Sequence, residues 1–231
     1  MTEIADRLAL VHARIRAAEV AAGRAPEQVK LLAVSKTMSP TAIRAAYAAG
    51  QRDFGENYVQ ELVQKADLLH DLPDVRWHFI GHLQRNKVKV VATRLHMIHT
   101  VDSPKLAAEL DKRLEAAAEP LATLVEVNVG REAQKSGVSP EALEQVLQAV
   151  SEAKHLRLAG LMTVPPFTDD PADARPYFDR LRELRERFGG RSVLPELSMG
   201  MSADLEQAVA AGATWVRVGT AVFGPRGRAL P

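Results

Sequence analysis

A lysine at the end of an apolar run is the first residue of this sequence whose type and position could do covalent chemistry. Lys36 closes the run LLAVSK, where Leu32, Val34 and Lys36 share one face of a predicted strand because side chains alternate with a period of two. Burial lowers the pKa of a lysine, and its neutral amine can then attack an aldehyde. A strand-end lysine that reaches into water is the alternative, and position alone favours it.

The last quarter of the chain predicts an anion site. Ser202 is a suitable N-cap for a helix predicted over residues 203–211, and the N–H groups at the start of a helix attract anions. Gly219 and Thr220 end the last predicted strand, where they offer close backbone approach and a hydroxyl. An ordinary helix cap would explain Ser202, and an ordinary turn would explain Gly219 and Thr220. The occurrence of both at neighbouring strand ends favours a phosphate-binding site.

An arginine lies in the middle of the last predicted strand. Arg217 occurs in TWVRVG, and arginine is rarely buried without a partner. An ion pair with a carboxylate such as Glu126 or Glu196 is one interpretation. The other is that its permanent charge faces the ring nitrogen of a cofactor, donates a hydrogen bond and keeps that nitrogen unprotonated. The sequence leaves both open.

The histidines predict no metal site. His78 and His82 occur in WHFIGHLQRNK, where a strand that runs into a loop separates residues four apart by about 13 Å. His96 and His99 point to opposite sides of their strand. A single ion is therefore not expected to bind either pair.

Three other positions carry polar groups near predicted strand ends. Asn57 follows the second strand, in FGENY. Glu126 and Asn128 share a face of the fifth predicted strand, in VEVNVG. Lys135 belongs to the glycine-bounded loop GREAQKSG, where a mobile amine could meet an anionic ligand.

The pattern of elements supplies a scaffold that brings strand ends together. Strands are predicted over residues 30–35, 52–55, 76–81, 96–101, 121–129, 157–164, 193–199 and 214–219, and helices over 4–22, 42–49, 59–69, 104–118, 141–153, 174–188 and 203–211. Such βα repeats predict an α/β fold, a single (β/α)8 TIM barrel with an extra N-terminal helix, in one domain over residues 1–231. Its chemistry would lie at the C-terminal ends of the strands.

An open doubly wound sheet is the runner-up, but the glycine-rich turn GxGxxG is absent. The loop predicted to have most freedom is 163–173, which holds three prolines.

Composition limits the classes of partner. The chain has 231 residues, 46% hydrophobic and 26% charged, with a net charge of +1, so nothing draws it to nucleic acid or to an anionic membrane. There is no cysteine, which excludes disulfides and thiolate nucleophiles. The amphipathic N-terminus lacks a secretory signal, and no run is long enough to span a membrane. We expect a cytoplasmic protein.

Motifs along nearly the whole chain, from about residue 31 to 224, resemble a known family. AVSKT, FGENYVQEL, WHFIGHLQRNK, VDS, VNVGREAQKSGV, GLMT and LSMGMSADLEQAVAAGATWVRVGTAVFG occur in order. Together they are similar to the pyridoxal phosphate homeostasis proteins, the YggS/PROSC family. The resemblance implies a barrel of the alanine racemase N-terminal type that binds pyridoxal 5′-phosphate (PLP).

The resemblance also implies roles for individual residues. PLP would be held as a Schiff base on the lysine of AVSKT, Lys36. Its phosphate would be bound by residues of SMGMS and RVGT, and Arg217 would face the pyridine nitrogen. Asn57 would lie near the ring, with Met162, Met201 and His82 as further contacts. The phosphate ligands would be Ser202, Gly219 and Thr220.

Three functions follow from these expectations. The first is a PLP-binding protein of intracellular PLP homeostasis that supplies the cofactor to apo-enzymes and is not an enzyme. The second is an amino-acid racemase of low activity. Alanine racemases add a C-terminal β domain that aids dimerisation, and the sequence ends at Pro231, so we expect a monomer with only Lys36 as acid or base. The third is a cofactor-free barrel enzyme whose Lys36 forms a Schiff base with a sugar.

Overall fold

The strands form a closed parallel barrel in the computed structural model, which describes residues 3–132 and 134–225. In chain order they are β1 (Lys30–Val34), β2 (Asp53–Glu56), β3 (Arg76–Phe79), β4 (Met97–Val101), β5 (Leu121–Glu126), β6 (Leu156–Met162), β7 (Glu196–Ser198) and β8 (Trp215–Val218). Each strand pairs with the next, and β8 pairs with β1, where Leu32 lies opposite Arg217. The predicted (β/α)8 barrel is confirmed.

Helices cover the outside of this barrel. The first, α1 (Glu3–Ala21), precedes β1 as predicted. The others are α2 (Pro40–Ala48), α3 (Val59–Leu68), α4 (Val88–Val91), α5 (Pro104–Arg113), α6 (Leu143–Glu152), α7 (Arg175–Arg187), α8 (Gly190–Val193), α9 (Leu205–Ala210) and α10 (Thr220–Phe223). Three-residue or four-residue 3-10 turns lie at Arg85–Lys87, Ala92–Arg94 and Pro171–Ala174.

The N-terminal helix closes one side of the molecule. Leu8, Val11 and Ile15 recur at helical spacing and are all buried. The helix packs against α9 and α10, the two helices that flank β8. Burial of each such side chain stabilises the fold by about 1.5–3 kcal/mol. The first helix therefore packs against the helices that precede and follow the last strand.

Alternation along the strands separates two apolar regions. Side chains that point outward join those of the helices in a large core, which includes Leu31 and Ala33 of β1. Side chains that point inward fill the barrel and include Leu32, its neighbour. The inner cluster consists of Leu32, Met97, Ala122, Leu124, Ala159, Met162 and Trp215, with Ile80 packed against it. The barrel interior is a packed core and not a channel.

Two local predictions were wrong. Val193 was placed in the seventh strand, but it ends α8, because Gly189 and Gly190 adopt positive φ angles of 108° and 64° and turn the chain first. Asn128 was placed in the fifth strand, which ends at Glu126. Beyond that residue the Asn128 amide bonds the carbonyl oxygen of Glu132.

The helical segment around α4 was not predicted. A 3-10 turn lies on either side of α4, so the whole segment runs over residues 85–94. Val88 and Val91 are its buried residues within α4. Four residues are too few for a helical period to stand out against the surrounding Lys and Arg side chains.

Within the described part of the chain, no helix combines the length and apolar character needed to cross a bilayer.

Candidate functional site

A cleft of about 390 Å³ opens at the C-terminal ends of β1 and β8. In a parallel barrel these strand ends meet on one face, which is where the fold places its chemistry. The cleft is lined by Val34, Lys36, Asn57, Ile80, Val164, Met201, Ser202, Ala203, Arg217, Gly219 and Thr220. Seven of the nine residues that the sequence predicts at the PLP site are among these described lining residues.

Lys36 is held at this cleft by bonds to the residues on either side of it. The Ser35 hydroxyl donates to Glu56 Oε1 over 2.6 Å, and the Lys65 ammonium donates to the Ser35 carbonyl oxygen over 2.8 Å. On the other side, the Thr37 N–H donates to Glu61 Oε2 over 2.8 Å. The same Lys65 ammonium contacts both carboxylates, each at 2.8 Å. One buried cation therefore organises both flanks of Lys36.

The backbone at Thr37 is strained. Its φ of 65° lies in the left-handed region, which a β-branched residue enters at a cost of about 1–3 kcal/mol. The bond from Thr37 N–H to Glu61 offsets part of this cost. Burial alone would raise the pKa of Glu61, but hydrogen bonds from Lys65 and from the Thr37 N–H lower it, so Glu61 stays ionised at neutral pH. The strain fixes the direction in which the chain leaves Lys36.

Arg217 is a buried cation at the floor of the cleft. Only 4% of the residue is exposed. Its guanidinium donates to the Ser198 hydroxyl and to the Thr163 carbonyl oxygen, both over 2.8 Å. Burial lowers its pKa to about 10, against the opposing charges of Asp204 and Glu126, so Arg217 remains charged at neutral pH.

Neither of the ion pairs considered for Arg217 is formed among the described residues. Glu196 bonds Lys30 instead, at 2.6 Å, and Glu126 acts on Arg217 only through its charge. Arg217 is thus held by a hydroxyl and a carbonyl, which leave its positive charge uncompensated by direct contact. A charge of that kind favours an electron-rich or anionic ligand in the cleft.

The capping role predicted for Ser202 was wrong. Helix α9 starts at Leu205, and its N-cap is Asp204. Asp204 holds the turn before the helix by accepting the Met201 N–H over 2.6 Å, while Arg14 donates to the Ser202 carbonyl oxygen over 3.1 Å. Asp204 thus occupies the N-cap position, although its side chain bonds the preceding turn and makes no capping hydrogen bond to the helix. The Ser202 hydroxyl is placed at the cleft by this turn.

Glycine allows close backbone approach at two points of the cleft. Gly219 precedes α10, and a Cβ there would lie 3.3 Å from the carbonyl oxygen of Val34 on the neighbouring strand. A Cβ at Gly81 would lie only 2.1 Å from the carbonyl oxygen of Asn57. The second contact is too short for any side chain, so Gly81 sets the position of Asn57.

Three other candidate residues lie away from the cleft lining. Met162 is 1% exposed and belongs to the cluster inside the barrel, beneath the cleft. His82 lies with its Nδ1 atom 3.5 Å from Asp102 Oδ2. Lys135 donates to the Pro165 carbonyl oxygen over 2.9 Å. Met162 and His82 are thus not among the described residues that line the cleft, and their contacts with a ligand stay predictions.

The donor set of the cleft suits a phosphorylated aldehyde. It offers one amine, one guanidinium, one amide and the two hydroxyls of Ser202 and Thr220, with Val34, Ile80 and Val164 as apolar walls. No carboxylate is among the described lining residues, so an anionic group meets no like charge there. In the same described part of the chain, no group of three or more potential ligands could hold a metal ion.

Two polar networks were not foreseen from the sequence. One is the cluster around Lys65 that holds Lys36. The other is a chain of hydrogen bonds inside the barrel that links His78 to His99, with their Nδ1 and Nε2 atoms 3.0 Å apart. A signal for the second did exist, because His78 and His99 lie on neighbouring strands that the barrel pairs side by side.

The fold and its cleft define a barrel of the alanine racemase N-terminal type. The profile of the family described as alanine racemase, N-terminal domain, matches residues 10–227. The pyridoxal phosphate homeostasis protein of Pseudomonas aeruginosa is 49% identical over 231 residues, which cover 100% of this chain and 99% of that relative. The one of Aquifex aeolicus is 46% identical over 223 residues, 96% of this chain and 97% of the relative. This chain belongs to the pyridoxal phosphate homeostasis protein family.

Solved structures agree with that assignment. PipY of Synechococcus elongatus, in a structure with PLP bound, superposes with a TM-score of 0.82 at 39% identity, covering 96% of this chain and 100% of PipY. Alanine racemase of Corynebacterium glutamicum gives a TM-score of 0.64 at 21% identity, covering 96% of this chain and 62% of the racemase. The second comparison shows the shared fold alone.

Proposed function

We propose that this protein binds PLP in the cleft, linked to Lys36, and serves intracellular PLP homeostasis by passing the cofactor to apo-enzymes. The observation that carries the proposal is that Lys36 and Arg217 line one cleft with the hydroxyls of Ser202 and Thr220. The names of the relatives and the PLP bound by PipY support it.

Each proposed contact follows from the chemistry of the side chain. PLP supplies an aldehyde, with which a neutral lysine amine condenses reversibly. Ser202, Gly219 and Thr220 would bind the phosphate through hydroxyl and backbone groups, and Arg217 would donate to the pyridine nitrogen. Asn57 and Met201 would flank the ring. Met162 would support the floor from inside the barrel without touching the ligand.

The lining favours a carrier over an enzyme. Racemisation needs an acid or base on each face of the substrate carbon. Among the described residues that line the cleft, only Lys36 and Arg217 titrate, and Arg217 is charged at neutral pH. A second positioned base is therefore not supplied by these side chains. Binding and release of PLP, with no net turnover of an amino acid, is the activity that this set supports.

Two enzyme functions are the rivals. A low-activity racemase would use Lys36 as one base. His82 would be the first candidate for the second base, because it follows β3 on the same face of the barrel. A cofactor-free enzyme would use Lys36 on a sugar. The visible spectrum distinguishes the cofactor-free enzyme from the other two functions, because a protein loaded with PLP absorbs visible light and a cofactor-free barrel does not.

The linkage is tested by borohydride reduction of the PLP-loaded protein followed by peptide mapping. We expect the pyridoxyl group on Lys36 and loss of the visible band. Lys135→Ala is the matched control, because Lys135 lies outside the cleft lining and should not change the labelling. Recovery of most of the label on Lys135 or another lysine would refute the assignment.

The carrier role is tested by two measurements on the same preparation. We expect the PLP-loaded protein to activate an apo PLP-dependent enzyme, and we expect no exchange of the α-hydrogen of alanine or other common amino acids with solvent. Multiple-turnover racemisation that is abolished by Lys36→Ala would establish the racemase instead. The monomeric state stays a prediction, which light scattering of the loaded protein can check.

A further inference from the structure

A chain of hydrogen bonds crosses the barrel interior from Asp53 to Arg217. Asp53 Oδ1 lies 3.0 Å from His78 Nε2, and His78 Nδ1 lies 3.0 Å from His99 Nε2. His99 Nδ1 lies 2.9 Å from Ser198 Oγ, which accepts a bond from Arg217 Nη1 over 2.8 Å. The chain begins at β2 and ends at β8, where Arg217 lines the cleft.

The chain is shielded from water along its middle. His78, His99 and Ser198 are fully buried, and the Trp215 ring packs 5.0 Å from the first imidazole and 6.2 Å from the second, measured between centroids. Buried polar groups must find partners within the protein. Each link therefore depends on the one beside it.

The two ends restrict where the hydrogens lie. Arg217 can only donate, and an ionised Asp53 can only accept, so His78 carries a hydrogen on Nε2. When both imidazoles are neutral, His78 accepts at Nδ1, and His99 therefore also carries its hydrogen on Nε2. Ser198 then donates to His99 Nδ1 and accepts from Arg217. With two neutral rings, this is the one assignment that satisfies every link.

The electrostatics agree with this assignment. Burial lowers the pKa of His78, although Asp53 opposes the shift, and burial together with the charges of His78 and Arg217 places the pKa of His99 well below its usual range. Burial alone would raise the pKa of Asp53, but hydrogen bonds from His78 and Arg76 lower it to about 2. Neutral imidazoles and an ionised carboxylate are thus the expected states near pH 7.

We infer that Asp53, His78, His99 and Ser198 are positioning residues that orient the Arg217 guanidinium for a ligand in the cleft. Arg217 has five N–H groups, and the chain and the Thr163 carbonyl direct two of them away from the ligand. The inference rests on the proposed function only in taking PLP as that ligand. Loss of a link deep in the barrel should therefore change PLP binding without changing any lining residue.

The hydrogen placement is tested without PLP. Ring nitrogen resonances of the histidines in the unloaded protein, measured by 15N NMR near pH 7, should show both His78 and His99 as neutral rings protonated at Nε2. A ring protonated at Nδ1, or at both nitrogens, at either position would overturn the chain.

The positioning role is tested with His99→Phe, and His96→Phe is the matched control. His96 lies beside the His78 ring, with centroids 5.4 Å apart, but is exposed and takes no part in the chain. We expect His99→Phe to weaken PLP binding about tenfold, equivalent to about 1.4 kcal/mol, and to shift the visible band, because the charge beside the ring nitrogen moves. His99→Gln, which has both a donor and an acceptor, should restore part of the affinity.

Ser198→Ala provides a second variant with less effect on packing. It removes the hydroxyl that Arg217 contacts and should also weaken PLP binding and shift the band. Unchanged affinity and an unchanged band in a folded Ser198→Ala or His99→Phe protein would exclude the positioning role. Failure of the unaltered protein to bind PLP would instead contradict the proposed function, and the NMR result would still decide the chain.

Discussion

The Lys65 ammonium donates a hydrogen bond to the carbonyl oxygen of Ser35 over 2.8 Å. Lys65 is 5% exposed and lies on α3, whereas Ser35 is the residue before Lys36. The same ammonium bonds Glu61, which holds the residue after Lys36. The helix after β2 thus fixes the backbone on both sides of Lys36.

Removal of that ammonium should destabilise the protein. Lys65→Met leaves the buried Glu56 carboxyl without its cationic partner, and the loss of one member of a buried pair costs about 3–5 kcal/mol. We expect a corresponding fall in the free energy of unfolding, measured by urea titration. Lys89→Met, at an exposed position of α4, is the control. Equal stabilities of the two variants would show that Lys65 does not anchor this segment.

The phosphate site should depend on two hydroxyls. Ser202→Ala and Thr220→Val should each weaken PLP binding by about 1.5–3 kcal/mol if each hydroxyl bonds the charged phosphate. Pyridoxal, which lacks the phosphate, should bind much more weakly than PLP to the unaltered protein. Ser192→Ala serves as the control, because the Ser192 hydroxyl bonds the Gly189 carbonyl oxygen in an exposed turn. Equal affinities for PLP and pyridoxal, measured by fluorescence titration, would rule out the phosphate contacts.

Glu126 should make stability depend on pH near neutrality. Burial and the charge of Asp102 raise the pKa of Glu126 to about 7, from 4.5. Between pH 4.5 and about 7 the folded state therefore keeps the Glu126 proton that the unfolded state has lost. This contribution to the free energy of unfolding is highest below pH 4.5 and falls as the pH rises through about 7. The difference between the pKa of Glu126 in the unfolded and folded states corresponds to a loss of about 3 kcal/mol in the free energy of unfolding.

Glu126→Gln removes this titration. We expect the variant to gain stability relative to the unaltered protein at pH 8 and not at pH 5, as measured by denaturant titration at both values. Glu144→Gln, at an exposed position of α6, provides the comparison. A Glu126→Gln effect of the same size at both pH values would contradict the raised pKa.

Much of the fold could be predicted because its information is local. The period of two along LLAVSK and the repeat of strand and helix identify the barrel, and the rule that strand ends meet on one face gathers Lys36, Arg217 and Thr220. Boundaries failed where the turn before an element decided them. Ser202 and Asp204 are both suitable N-caps by residue type, but the helix begins only after Asp204, whose side chain bonds the Met201 N–H in the preceding turn.

The polar networks were not predicted for a different reason. His78 and His99 are each unremarkable in an apolar strand, and their pairing depends on the register between β3 and β4. Lys65 looks like an ordinary helix lysine, since nothing in the sequence tells how far its side chain is buried. Both networks arise from the packing of elements that are distant in sequence, which a local pattern does not encode.

Pairing of β1 with β8 has a consequence for synthesis of the chain. Lys36 leaves the ribosome early and Arg217 late, yet the two line the same cleft across the seam where the first and last strands meet. A nascent chain that lacks β8 contains Lys36 but lacks Arg217, which forms the floor of the cleft, and Thr220. Under the proposed function, selective capture of PLP in this cleft therefore waits for completed translation and barrel closure, and an unfinished chain would not compete for free PLP through it.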